Sequence, residues 1–170
     1  MIEFKDNEFA PFYANYIAKA NSNTSIIDGL IQQSIIVSEF LKSIPSSKLN
    51  YRYSENKWTI KDIILHLIDA ERIFSYRALR IARGDKTELQ GFEEDDYVIE
   101  ANAGERSLSS LLEEYKMVRN ATICFFKSFN NEQMLRIGTA SNSSISVRAI
   151  GIIIQGHEKH HLEIIKERYL

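Results

Sequence analysis

Ser146-Val147-Arg148-Ala149-Ile150-Gly151-Ile152-Ile153-Ile154-Gln155-Gly156-His157-Glu158-Lys159-His160-His161-Leu162-Glu163-Ile164-Ile165 carries an apolar stripe at helical period, interrupted by two histidines. Val147, Ile150, Ile153, Ile154, Ile164 and Ile165 share one helical face with His157 and His161. At about 100° and 1.5 Å per residue, the two imidazoles lie one turn apart, roughly 6 Å along the axis and about 40° apart in azimuth. A pair placed like that can grip one metal ion. The helix is expected to begin at Ser144 or Ser146 and to run nearly to the end of the chain. Gly151 and Gly156 each cost a helix interior about 1 kcal/mol against alanine, so a close helix approach or a cavity is expected beside them.

Three more amphipathic periods precede this one, each with its own punctuation. Ser25, with Asp28 at the third helical position, starts a helix whose face is Ile27, Leu30, Ile31, Val37, Leu41 and Ile44 and which ends at Pro45. Thr59-Ile60-Lys61-Asp62 has capping-box spacing, with aspartate in place of the usual glutamate or glutamine. That second helix runs to about Arg83, where Gly84 supplies the stop, and its seam is Ile60, Ile63, Ile64, Leu67, Phe74, Ala78 and Ile81. Ser107 caps a third, with Leu108, Leu111, Leu112, Tyr115, Val118, Thr122, Phe125, Phe126 and Phe129 inward. Residues 84 to 106 form a long connection between helices two and three, with a short helical turn near Tyr97. A connection of that length usually crosses the body or covers a site. Asn130 opens another short turn, followed by a Gly/Ser/Asn-rich loop from Gly138 to Ser144. The first 24 residues are aromatic-rich and read as a segment wrapping the body. Four long helices most simply make an all-α four-helix bundle, residues 1 to 170 forming one domain.

Composition narrows the function classes. With 21 basic and 23 acidic residues spread along 170 positions and a pI near 6.1, no basic run is present to follow a phosphate backbone, which argues against nucleic acid. No apolar run approaches membrane-spanning length and no signal pattern opens the chain, so a cytoplasmic protein away from the membrane is expected. The single cysteine, Cys124, lies in an apolar setting that reads as core.

Three of the four histidines stand in the C-terminal stretch; the fourth is His66, at the edge of the second helix's seam. Neutral imidazole suits zinc and nickel, and three histidines with a fourth, open position form a recurrent catalytic arrangement. The plainer alternative is core histidines satisfied by carbonyls or water. His157-Glu158-Lys159-His160-His161 also matches the zinc-protease pattern H-E-x-x-H. Those enzymes take a third ligand downstream, however, and neither Glu163 nor Glu167 shares the face of His161. A third ligand must come from upstream, which points to His66. Glu158 then reads as a rim carboxylate and His160 as a neighbour of the site. Arg77, Arg80 and Arg83 read as solvated helix charges, and Glu93 to Asp96 as a solvated face.

Tyr53-Ser54-Glu55-Asn56-Lys57-Trp58-Thr59-Ile60-Lys61-Asp62, leading to His66-Leu67-Ile68-Asp69-Ala70-Glu71-Arg72, together with Gly156-His157-Glu158-Lys159-His160-His161, resembles the DinB-like superfamily, also described as YfiT-like metal-dependent hydrolases. The likeness continues through Tyr76-Arg77-Ala78-Leu79-Arg80, Gly91-Phe92 and Ser146-Val147-Arg148-Ala149. It implies a bundle of up-down-down-up topology, often a homodimer, with one divalent metal, zinc or nickel, held by His66, His157 and His161. Relatives include thiol-dependent transferases and isomerases. The reading is therefore a metal-dependent transferase or hydrolase acting on a small molecule, with a low-molecular-weight thiol as possible cosubstrate. Its rival is a non-catalytic metal-binding or self-associating helical protein; an open coordination position separates the two.

Overall fold

The computed structural model describes residues 2–20 and 24–170; residue 1 and residues 21–23 of the expected wrapping segment lie outside the described residues. The helices are α1 (Ala14–Lys19), α2 (Ile26–Ser43), α3 (Ile60–Ala82), α4 (Glu94–Ala101), α5 (Leu108–Lys127), α6 (Asn131–Met134) and α7 (Val147–Arg168). Their starts follow from short polar side chains that satisfy otherwise orphaned backbone donors. Ser25 accepts from the amide of Asp28, Ser107 from that of Ser110, and Ser146 from that of Ala149. At α3 the box is complete: the Asp62 amide donates to Thr59 Oγ1 (3.1 Å) and the Thr59 amide to Asp62 Oδ2 (2.8 Å). The same helix stops at Gly84, whose φ of +82° a side chain would disfavour.

α3 packs against α5 and α7, and α2 packs against the same two. The apolar interior falls into two halves. One gathers around Leu30, Ala78, Phe126, Ile150 and Ile153, the other around Val37, Leu41, Ile64, Leu111 and Ile165. Between them lies a buried polar layer: Gln33 of α2, His66 and Glu71 of α3, Arg119 of α5, and Gln155, His157 and Glu158 of α7. Arg119 is 0% exposed and reaches every long helix of the bundle. It donates from Nε to Glu71 Oε1 (2.9 Å), from Nη2 to Glu71 Oε2 (2.9 Å) and Glu158 Oε1 (3.0 Å), and from Nη1 to the Leu30 carbonyl (3.3 Å). The planar fork of a guanidinium can serve two carboxylates and a carbonyl at once.

The aromatic N-terminal segment lies against the last helix, α1 packing on α7. Gly156 is what permits the approach. A Cβ built there would stand 1.7 Å from the carbonyl oxygen of Tyr16. The expected reason for a glycine inside this helix is therefore a backbone passing over it. Ahead of α1, Glu8 is buried and accepts from Arg148, from Ser146 Oγ (2.9 Å) and from the Lys5 amide (3.0 Å).

Four expectations from the sequence need correction. Residues 138–144 do not form an open loop: β1 (Ile137–Ala140) and β2 (Ser143–Ser146) pair antiparallel, with Ile137 opposite Ser146. Ser141 and Asn142, both at positive φ, make the two-residue turn. Leu89 bridges to Ala140 alongside, a non-local pairing that local composition cannot show. The short turn near Tyr97 is a two-turn helix, α4, packed on α3. Cys124 is exposed rather than core, because Ile123 and Phe126 take the inward positions of α5. Arg77 is buried, its Nη2 donating to the Gln90 carbonyl (2.8 Å) and Ser141 Oγ (2.9 Å), so it ties the long connection to the hairpin turn. Among the described residues no helix is long and apolar enough to cross a membrane.

Three outcomes are expected. Gly156→Ala should destabilise the protein by about 1–3 kcal/mol in urea unfolding, although alanine is intrinsically the better helix former by about 1 kcal/mol. Arg119→Ala, which strands two buried carboxylates, should cost about 3–5 kcal/mol in the same assay. The Arg148 guanidinium holds the Glu8 carboxyl down at about 2, from an ordinary 4.5. The unfolded chain then binds the extra proton, so this stabilisation is complete above about pH 4.5 and is lost as pH falls from there through about 2. Stability measured against pH should fall less steeply across that interval in Glu8→Gln.

Candidate metal centre

His66 projects from the first half of α3, and His157 and His161 from consecutive turns of α7. The packing of α3 on α7 brings the three together. His66 Nε2 stands 3.0 Å from His157 Nε2, and His161 Nε2 stands 3.1 Å from the same atom. All three ligand nitrogens lie within 4.8 Å of one another, and no fourth His, Cys, Asp or Glu among the described residues joins them. Three nitrogens on a tetrahedral zinc, each about 2.0–2.1 Å from the ion, would be separated by about 3.3 Å. The two separations measured from His157 are close to that.

Burial also keeps the rings in the form a metal requires. Desolvation lowers His66 from an ordinary 6.5 to about 4, with the negative charge of Asp95 opposing it weakly. His161 falls to about 3, again chiefly by burial and further by the neighbouring His66 and His160. His157 is pushed well below the usual range by burial and by the other three histidines. At neutral pH all three are uncharged lone-pair donors, as coordination demands. A divalent ion fits this donor set without displacing a proton.

Aromatic rings wall the cluster. Trp58 packs on His66 (4.7 Å between centroids) and lies nearly parallel to His161 (6.2 Å, 13°). Tyr16 meets His157 edge-on at 5.2 Å, and Phe74 meets it at 6.1 Å. Trp58 Nε1 donates to Asp95 Oδ1 (2.9 Å), so α4 is pinned beside the site by the residue that shields two histidines. His160 stays outside the cluster, half-buried against Tyr16 (5.5 Å) and His161 (5.3 Å), as a neighbour of the site.

Glu158 is not a rim carboxylate. It is 2% exposed and paired with Arg119. Burial pushes its carboxyl up, against the pull of the guanidinium. This carboxylate belongs to the ion-pair layer, which removes it from the protease-like role that the H-E-x-x-H match suggests. Glu71, Arg119, Tyr16 and Phe74 escaped the sequence reading as site components. Arg119 carried one usable signal: it lies one residue past Val118 and three before Thr122, on the edge of an otherwise apolar face.

Comparison with known proteins bears on the family and the fold. The family model for the DinB superfamily matches residues 36–165. A comparison with curated proteins finds no match. Among solved structures, YfiT from Bacillus subtilis is similar, with a TM-score of 0.66 over 97% of this chain and 92% of that one at 13% sequence identity. That protein is described as a probable metal-dependent hydrolase with an unusual four-helix bundle topology. At such identity the likeness is one of fold. With the family match running over most of its length, the chain belongs to the DinB superfamily.

Proposed function

We propose that this protein is a metal-dependent enzyme in which His66, His157 and His161 hold one divalent ion, zinc or nickel, and act on a small molecule. The observation that carries the reading is the donor set itself: three convergent neutral imidazoles with no fourth protein donor among the described residues. A structural zinc site is closed by four protein ligands, whereas a catalytic one keeps a position open. When bound, such an ion supplies Lewis acidity that makes a water or a thiol nucleophilic near neutral pH. The chain's own contribution is to hold the three rings uncharged and oriented and to wall them with Trp58, Tyr16 and Phe74. Thiol transfer to an electrophilic small molecule ranks ahead of hydrolysis, on the strength of the family's thiol-dependent members. The accompanying expectations of an up-down-down-up bundle and a homodimer rest on the same resemblance.

Trp58 is the only tryptophan in the chain, so its emission reports on this site alone. Titrating metal-free protein, purified without an affinity tag, with nickel should change that emission and saturate at about one equivalent per chain. Replacing His66, His157 and His161 together by alanine should abolish both the change and the bound metal found by elemental analysis. Unchanged metal stoichiometry in the folded triple variant would sink the reading. With the site loaded, consumption of an electrophile in the presence of a low-molecular-weight thiol should disappear on chelation and in the triple variant.

A further inference from the structure

The polar layer leaves a small cavity beside His157 among buried side chains, with polar walls from Glu71, Arg119, His157 and Glu158 and apolar walls from Leu67, Phe74 and Ile154. It offers about 10 Å³ to the centre of a water molecule, close to the room that one ordered water needs. Water settles in such a space only where two to four polar partners surround it, and this wall supplies them. Glu158 Oε1 accepts from Arg119, while Oε2 is buried without a hydrogen-bond donor. The Tyr115 hydroxyl also has no partner in hydrogen-bond geometry, although it stands near enough to Glu158 to pull that carboxyl down. On the other side, the Nε2 atom of His157 faces the point it shares with His66 and His161, which leaves Nδ1 for a second partner. A histidine whose Nε2 lone pair faces a metal carries its hydrogen on Nδ1, and that hydrogen calls for an acceptor.

We infer that this cavity is a site for one ordered water that accepts from Nδ1–H of His157 and donates to Oε2 of Glu158, making Glu158 and Arg119 positioning residues for His157. Arg119 holds the Glu158 carboxylate in place through Oε1, and the water passes that orientation to the ring. The chain neighbour of His157 then acts on it from behind, through the interior of the bundle. The functional half of this inference rests on His157 being a metal ligand; the water site does not.

The test uses the full chain. A crystal structure of the metal-free protein should show an ordered water in this cavity, within hydrogen-bond distance of His157 Nδ1 and the Glu158 carboxylate. Nitrogen NMR of the same protein should find His157 in its Nδ1–H tautomer. In Glu158→Gln, which keeps an acceptor for Arg119 but removes the charged one, zinc affinity measured by chelator competition should fall about 10–100-fold. A direct bond from Tyr115 to Glu158 with no density in the cavity would overturn the inference, as would an Nε2–H tautomer in the wild type or an unchanged affinity in Glu158→Gln. Should that variant fail to fold, the density and the tautomer in the wild type decide. If the wild type binds no metal, the proposed function fails, while those two readouts still judge the water.

Discussion

The guanidinium of Arg119 is the constraint on which the rest of this structure depends. Placing it with Glu71 and Glu158 in the middle of a helical bundle costs several kcal/mol per ion in lost hydration, and well-packed apolar residues would often do as well for stability alone. Its consequence here is register. Leu30 on α2, Glu71 on α3 and Glu158 on α7 must all stand level with Arg119 on α5 for the donors to be met. Sliding α7 by one turn, about 5.4 Å, would strip Arg119 of one carboxylate and leave a charge unpaired in the interior. The apolar halves on either side have no comparable preference, since leucines and isoleucines tolerate small shifts better than an unpaired buried ion does.

The histidine cluster inherits that register. His157 immediately precedes Glu158, and His66 lies on the same helix as Glu71, one turn and a little more before it. Once the ion-pair layer sets α3 against α7, the Nε2 atoms of these two residues meet at 3.0 Å. The N-terminal segment then closes the site: Gly156 lets the backbone of Tyr16 pass over α7, and the Tyr16 ring lands on His157. Glu8, clamped between Arg148 and Ser146, anchors the start of that segment to the first turn of α7. A glycine, an ion pair and a capping serine thus act together to place one aromatic wall.

Much of this was legible in the linear sequence. Ser25, Thr59, Ser107 and Ser146 announce helix starts because each can accept a hydrogen bond from an amide two or three residues on, a strictly local event. Gly156 signalled a close approach for an equally local reason: its cost to the helix required an explanation. The misreadings fall where burial is decided by neighbours. Glu158, about 100° from His157, reads as facing solvent, but α7 is packed by α1, α2 and α3 together, so every residue from Ala149 to Glu158 is buried. Arg77 was misjudged in the same way, because the residues covering it, Gln90 and Ser141, come from a connection and a turn remote in the chain. Cys124 erred in the opposite direction, its apolar neighbours marking the inner face of α5 while it sits on the outer one.

By itself, then, the sequence determined the four long helices, where they start, and the pairing of His157 with His161 on one face. Those properties follow from hydrogen bonds and periodicity within a few residues of each other. Tertiary structure alone decided that His66 meets them, that their rings are buried enough to remain neutral, and that Glu158 turns inward to Arg119. Each of these depends on which helices are neighbours and at what height. That choice is made by a buried charge seeking partners across four helices, and no stretch of chain shorter than the whole bundle contains it.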